Sequence, residues 1–458
     1  MRRNVVAKFI AAGISIVMMT TVLTGCRFGF ASDPDDPNEK EEEQPIDMSI
    51  DTFSYDSGLS GTNITLLNSK AEIQVALQEM SKVFEEKSGV HVEVMPITEG
   101  DSPYTKVVSL YNSGNPPTLS ILDTTDVIAL ATEKAADLSS EAWTSEAEEY
   151  LTKIDGKVYS FPLCIEGRGL IYNKKVIEDA LGEPFDPKSI TTLDEFTTLL
   201  DRLVAAGIER PVSLAKEDWS LGAHQLQYVY ETYDGTSEGA QTMIEKIKSG
   251  ELDLNIYDRL NQFLDMFDVL KEYNVAKGDP LGADYDEMAI DLADGKTAFW
   301  FNGNWAWPNL KEAGADNEDE YGFLPYFMNN DPDDFANRQI QGSPSKQVML
   351  DGKMASENEQ AAAKEFLNWI VYSEIGQQML VKTCNVIPPF KNNPYEPADP
   401  LSRDIYEKVQ SGDAFNASAI VPNDHWSVLG AAMQKYLAGR CDREELIQTI
   451  QKYWDEQE

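Results

Sequence analysis

Asn63-Ile64-Thr65-Leu66-Leu67-Asn68-Ser69-Lys70-Ala71-Glu72-Ile73 reads as a strand giving way to a helix. The first five residues are the short, mostly apolar run of a strand buried in a sheet. Ser69 and Glu72 have capping-box spacing, so a helix is expected to begin there. Ile73, Ala76, Leu77, Met80, Val83 and Phe84 then recur at helical intervals until Gly89, a suitable C-terminal cap. Residues 91–95 form the next strand and complete a β-α-β unit. A second helix at residues 104–113 leads through Gly114-Asn115-Pro116-Pro117 into an apolar strand at 118–122. This alternation predicts an α/β fold with a largely parallel sheet covered on both faces. Ligands of such sheets sit where strands end, which points to Asn68, Lys70, Asp123 and Asp126. Turn chemistry would also account for Asn and Asp at those places.

Further along, residues 170–173 read as a strand, 193–206 as an amphipathic helix and 254–273 as a long helical stretch. An apolar strand at 296–301 runs into Asn302-Gly303-Asn304-Trp305-Ala306-Trp307-Pro308, and 321–327 is a short strand. Ser356 and Glu359 cap a long helix whose apolar face carries Ala362, Phe366, Leu367, Ile370, Ile375 and Met379. The last third is mostly helical.

The N-terminus is of a different kind. Arg2, Arg3 and Lys8 precede an apolar run from Phe9 to Leu23, too short and interrupted for a stable span and suited to a secretory signal. Leu23-Thr24-Gly25-Cys26 resembles the lipobox of bacterial lipoproteins, which implies cleavage before Cys26 and acylation of its thiol. Two or more acyl chains, at about 0.8 kcal/mol per buried CH₂, would anchor the chain firmly. Between Ser32 and Pro45 seven acids and three prolines make a solvated, self-repelling tether.

The formal charge of −40 becomes −43 once Arg2, Arg3 and Lys8 are lost with residues 1–25. Such acidity argues against nucleic acid and anionic ligands. Roughly four hundred residues remain from Ile46 onward, enough for two ordinary domains. Cys164, Cys384 and Cys441 leave one disulfide open, with unpaired buried thiols an equal alternative. His91, His224 and His425 fall in no zinc motif, and the chain has neither a phosphate-binding GxxxxGK[ST] loop nor a GxSxG elbow. No cofactor or metal is expected; the acids at 316–320 and 331–334 lack the ligand spacing of a calcium loop.

Three stretches carry a family resemblance. Residues 159–174, ending Gly169-Leu170-Ile171-Tyr172-Asn173-Lys174, the run Gly295-Lys296-Thr297-Ala298 with Asn302-Gly303-Asn304-Trp305-Ala306-Trp307, and residues 361–379 resemble, in order, segments of the family 1 extracellular solute-binding proteins, maltodextrin binders among them. The resemblance implies a two-lobed, periplasmic-binding-protein-like (type II) fold with three crossings, near 164–169, 321–326 and 394–401. The lobes would be residues 46–165 plus 325–396 and residues 168–321 plus 400–458, behind the signal peptide 1–25 and tether 26–45. It also implies a monomeric receptor, lipid-anchored outside the cell membrane, that closes on a carbohydrate and delivers it to the permease of an ABC transporter.

Sugar recognition needs aromatic faces for C–H surfaces and polar groups for hydroxyls. By the resemblance, Glu166 bonds sugar hydroxyls near the hinge, Glu217-Asp218-Trp219 supplies an acid and an aromatic ring, and Trp305 stacks on sugar with Trp307 as a core companion. Trp426, in Val421-Pro422-Asn423-Asp424-His425-Trp426, is a second stacking candidate, and Asn68 and Lys70 match the family's first loop. Residues 123–126 lack the Trp and Arg of maltodextrin binders, so the sugar stays open. Trp143, Trp369 and Trp454 are packing residues by their surroundings. Two alternatives remain: a surface glycosidase, which would need two carboxyls about 5 to 9 Å apart, and the same fold binding a polyamine through Glu166, Glu217 and Asp218. Glu166→Ala or Trp305→Ala is expected to weaken binding and leave unfolding of the unliganded protein nearly unchanged.

Overall fold

Asn63–Asn68 forms strand β1, and His91–Pro96, β2, lies parallel to it with Asn63 opposite His91. The computed structural model describes residues 46, 49–98, 101–282, 284–315 and 321–457. The lipobox with Cys26, the acidic tether and the acids at 316–320 lie outside them. The helix between β1 and β2 begins later than the capping-box spacing suggests. A short 3-10 turn at Ala71–Ile73 precedes the α-helix Gln74–Ser88, and Lys70 makes no side-chain cap. Glu72 does not reach back to the backbone at Ser69, because its carboxylate takes the Lys70 ammonium at 2.5 Å instead. Gly89 closes the helix in the left-handed conformation, and Ser356 with Glu359 forms a complete capping box on Glu357–Tyr372.

The other strands are β3 (Leu119–Asp123), a hairpin of β4 (Lys153–Ile154) and β5 (Lys157–Val158), β6 (Ser160–Asn173), β7 (Val212–Ser213), β8 (Phe299–Gly303), β9 (Tyr321–Leu324), β10 (Ile340–Leu350) and β11 (Ala414–Phe415). Outside the hairpin they make one sheet in the order β2-β1-β3-β10-β6-β8-β7, with β11 beside β10 and β9 beside β6. The sheet is mixed, not largely parallel. β1 with β2 and β3, β7 with β8, and β10 with β11 are parallel, whereas β10 runs antiparallel to β3 and β6, and β6 to β8 and β9. The antiparallel pairs arise because β6 and β10 carry the chain through the middle of the sheet in opposite directions.

Those two strands join the halves. At one end of β6, Ser160, Phe161 and Pro162 pair with β10; at the other, residues 168–173 pair with β8 and β9. The strand legible at 170–173 is therefore the last third of a continuous 14-residue strand. Tyr321–Leu324, within the stretch 321–326 where a crossing is expected, forms β9, and Tyr326, Phe327 and Met328 after it pack with the second half of the molecule. The return runs along β10, whose register against β6 shifts between Pro344 and Gln347. Gly169 lets β9 approach, since a Cβ there would stand 2.6 Å from the Leu324 carbonyl oxygen.

Side-chain alternation divides each half into two cores. Ile64 and Leu66 of β1 join Phe84, Trp143, Phe161 and Trp369, while Leu67 joins Val107, Leu122 and Val127 on the other face. In the second half Phe299 and Phe301 of β8 join Phe196, Phe263, Tyr326 and Trp454, while Trp300 joins Met288, Trp307 and Leu401. Trp143, Trp369 and Trp454 are interior, as is Trp307 against Tyr321. Cys164, Cys384 and Cys441 are free thiols, the first two buried.

Candidate functional site

Side chains from both halves meet beside the middle of β6. Glu166 is buried, and both its oxygens are engaged: Oε1 accepts from the Lys70 ammonium and Oε2 from the Ser345 hydroxyl on β10. Burial, the largest single influence, opposes the carboxylate's charge, but Lys70, Ser345 and Lys346 together outweigh it and hold the group below the usual glutamate range. Lys70 is likewise pushed well above the ordinary lysine value, since Glu166 and Glu72 overcome its own burial. Asn68 serves the turn: its Oδ1 accepts from the Lys70 backbone N–H at 2.9 Å, and its Nδ2 donates to the Lys70 carbonyl and to Gln74. It aims the lysine at Glu166.

A second ion pair lies one strand over. Lys346 of β10 donates to Asp123 at 2.7 Å. Asp126, a residue of the helix Thr124–Lys134, is buried and accepts from Asn423 of the second half at 2.6 Å. Burial and the neighbouring Asp123 push its carboxyl up to about 7, against the pull of Lys346 and Asn423. The Asp126–Asn423 bond thus spans the seam between the halves.

The second half contributes rings. The sequence Ser220–Gln225 winds as a π-helical turn, with the Leu226 N–H bonded to the Leu221 carbonyl. Its His224 ring lies 4.7 Å from Trp305 and 5.2 Å from Trp219, centroid to centroid, and Trp219 lies 5.7 Å from Tyr285. Trp219, His224, Trp305 and Tyr285 are all half-buried. The Trp305 indole folds back on its own strand end: a Cβ on Gly303 would stand 2.0 Å from the ring, so only glycine admits it there. Burial, Arg168 and Lys346 hold His224 well below the usual histidine value, so the ring is neutral. Asn302 donates to the Tyr285 hydroxyl at 3.0 Å, and the charges of Glu72, Glu217 and Lys70 all reach that phenol.

Glu217 is half-buried, and one of its oxygens is enclosed without a hydrogen-bond partner. Burial and, secondarily, Asp284 raise its carboxyl above the usual value. Asp218 spends one oxygen on the Trp219 backbone N–H. Trp426 is half-buried in the first turn of His425–Leu437, where its carbonyl packs on Gly222 of the π-turn.

Asn68, Lys70 and Glu166 therefore form one cluster, Asp123 and Asp126 a second, and Trp219 and Trp305 share an aromatic row, while Glu217 and Trp426 flank that row. Ser345, Lys346, His224, Tyr285 and Arg168 join the candidate site without a signal of this role in the sequence. Arg168 and Asn423 stand inside stretches whose legible chemistry belongs to other residues. Lys346 had no local signal, because its partner Asp123 is 223 positions away.

The model of a family described as bacterial extracellular solute-binding protein matches residues 79–403. An uncharacterized ABC transporter extracellular-binding protein of Pyrococcus horikoshii is 22% identical over 416 residues, covering 87% of this chain and 84% of that one. A multiple sugar-binding protein of Streptococcus mutans is 29% identical over 268 residues, 54% of this chain and 59% of that one. Among solved structures, a chitin oligosaccharide binding protein superposes with a TM-score of 0.69 at 23% identity, covering 86% of this chain and 98% of that one. The fold is the two-lobed one of solute-binding proteins.

Proposed function

Since the chain belongs to the bacterial extracellular solute-binding proteins, we propose that it is the receptor of an ABC transporter for a carbohydrate, an oligosaccharide in particular. The observation that carries this is the row Tyr285, Trp219, His224 and Trp305, half-buried, with Glu72, Glu217 and Lys70 within electrostatic reach of Tyr285 and Lys346 within reach of His224. Rings take the C–H faces of pyranoses and the charged groups exchange strong hydrogen bonds with hydroxyls. A neutral His224 adds a ring without adding a charge. The sugar-binding relative supports the same ligand class.

The polyamine alternative finds less support at Glu166, whose ammonium partner is the buried Lys70, so a cation there would have to displace that lysine. Glu217 and Asp218 have no ammonium partner among the described residues, and the titration with spermidine below tests them. In this reading the two lobes swing about the stretch where β6 and β10 lie side by side, residues 160–168 against 341–349, and the solute bridges Glu166 and Lys70 to the aromatic row. The lobes are residues 46–165 with most of 344–396, and residues 168–340 with 400–458. Cys26 carries the lipid, residues 1–25 are the signal, and the receptor works as a monomer on the outer face of the cell membrane beside its permease.

Titration calorimetry with raffinose, maltotriose, chitotriose and spermidine tests the ligand class. Binding of an oligosaccharide without turnover is the expected result; binding of spermidine alone, or release of shorter sugars, overturns it. Trp305→Ala is expected to weaken binding of the preferred sugar by at least about tenfold, near 1.4 kcal/mol, with the unliganded unfolding midpoint little changed. Cys26→Ser is expected to move the protein from the membrane fraction to the medium; unchanged fractionation removes the lipid anchor.

A further inference from the structure

The π-wound turn Ser220–Gln225 carries His224 but has no side-chain cap at its start. Such turns exchange the α-helical i→i−4 bonds for i→i−5 ones and occur mostly as single turns, frequently at functional sites. Arg168, on β6, braces this one. Its Nε donates to the His224 carbonyl at 2.8 Å, its Nη2 pairs with the buried Glu231, and its guanidinium lies 5.0 Å over the Tyr228 ring. The Tyr228 hydroxyl in turn donates to the Arg168 carbonyl at 2.7 Å. Arg168 also stands opposite Gly303, the glycine under the Trp305 ring, while the neighbouring Gly167 N–H bonds Asn304 at 3.0 Å. One strand thus fastens both sides of the His224–Trp305 contact.

We propose that Arg168 is a positioning residue of the binding site: its fork of donors clamps the π-turn to β6 and so sets the His224 ring against Trp305. The proposal rests on the binding reading for its effect on affinity, but not for its effect on the ring contact. A planar guanidinium can serve the His224 carbonyl and the Glu231 carboxylate together, while a lysine ammonium on a flexible stem serves the carboxylate alone.

Two variants test it. Arg168→Lys keeps the charge beside Glu231. The double variant Arg168→Met with Glu231→Gln removes both charges and leaves neither buried alone. With histidine-selective labelling, the chain's three histidines allow the nuclear Overhauser contact between the His224 and Trp305 rings to be followed. Affinity is measured for those of raffinose, maltotriose and chitotriose that the wild type binds. Arg168→Lys is expected to recover unfolding stability but not the ring contact, with affinity down about tenfold; the double variant loses contact and affinity alike. Retention of the ring contact in either variant overturns the proposal, as does recovery of affinity together with stability in Arg168→Lys. If the wild type binds no sugar, the carbohydrate reading fails, and the ring contact alone still decides the role of Arg168.

Discussion

Glu166→Ala is expected to lower the unfolding free energy by about 3–5 kcal/mol, the cost of leaving one member of a buried ion pair alone. Lys70 is only 4% exposed, and with Glu166 gone its ammonium retains just Glu72, which is 24% exposed on the side chain. Ser345 loses its acceptor in the same step. This reverses the expectation that Glu166→Ala would leave the unliganded protein unchanged: that expectation took the carboxylate for a free sugar contact, and the structure has both its oxygens occupied. Urea unfolding followed by circular dichroism measures the effect as a lower midpoint with the same slope. The pair Lys70→Met with Glu166→Leu is expected to recover most of the loss, because burying two apolar groups leaves no lone charge. A single Glu166→Ala variant as stable as the wild type would show that the ion pair contributes nothing.

The second large effect depends on pH. His425 is fully buried among Tyr230, Tyr453 and Trp454, and burial pushes its ring down to about 3. Trp454 Nε1 donates to the Tyr230 hydroxyl at 3.0 Å, and that hydroxyl is placed to donate to His425 Nε2 at 3.1 Å, which requires the neutral ring. The unfolded chain takes up a proton near pH 6.5 that the native protein refuses. This contribution to stability is therefore complete above pH 6.5 and is lost as pH falls toward 3. At pH 4 the loss is on the order of 3 kcal/mol relative to pH 7.5. Asp126, raised to about 7, has the opposite sign: its stability is present below the unfolded value near 4 and is lost as pH rises through about 7. Comparison of the wild type with His425→Phe separates the two. The variant's unfolding takes up about one proton fewer between pH 4 and 6; equal pH slopes would refute the assignment.

Local pattern made the elements readable where chemistry and neighbours coincide. The strand at Asn63, the cap at Gly89 and the box at Ser356 depend on residues within a few positions. The first helix starts later than its capping-box spacing predicts for a reason the sequence hides: Glu72 has two possible partners, the backbone near Ser69 and the ammonium of Lys70, and a buried ammonium in need of a counter-charge is the stronger. The length of β6 is concealed because Glu166, Gly167, Arg168 and Gly169 look like a loop; they are strand because β10 pairs with the first three and β8 with Gly169, both from far along the chain. In the candidate site, the residues with chemistry of their own, Glu166, Trp305 and Trp219, are legible as candidates. Those that act through a partner, Ser345, Lys346 and Arg168, are not, since their meaning lies in a register no local window contains.

The position of β10 between β3 and β6 also bears on how the chain is made and exported. Until Ile340–Leu350 has left the ribosome, both neighbours lack the strand that joins them, and the sheet has two raw edges in place of a centre. Pairings this distant in sequence are slow to form. A chain bound for the outside must stay threadable while it crosses the membrane, and one whose central strand comes late remains so for most of its synthesis. Truncation before Ile340 leaves those edges open, and such fragments are expected to aggregate instead of folding into a smaller domain, which sedimentation of the expressed fragment checks.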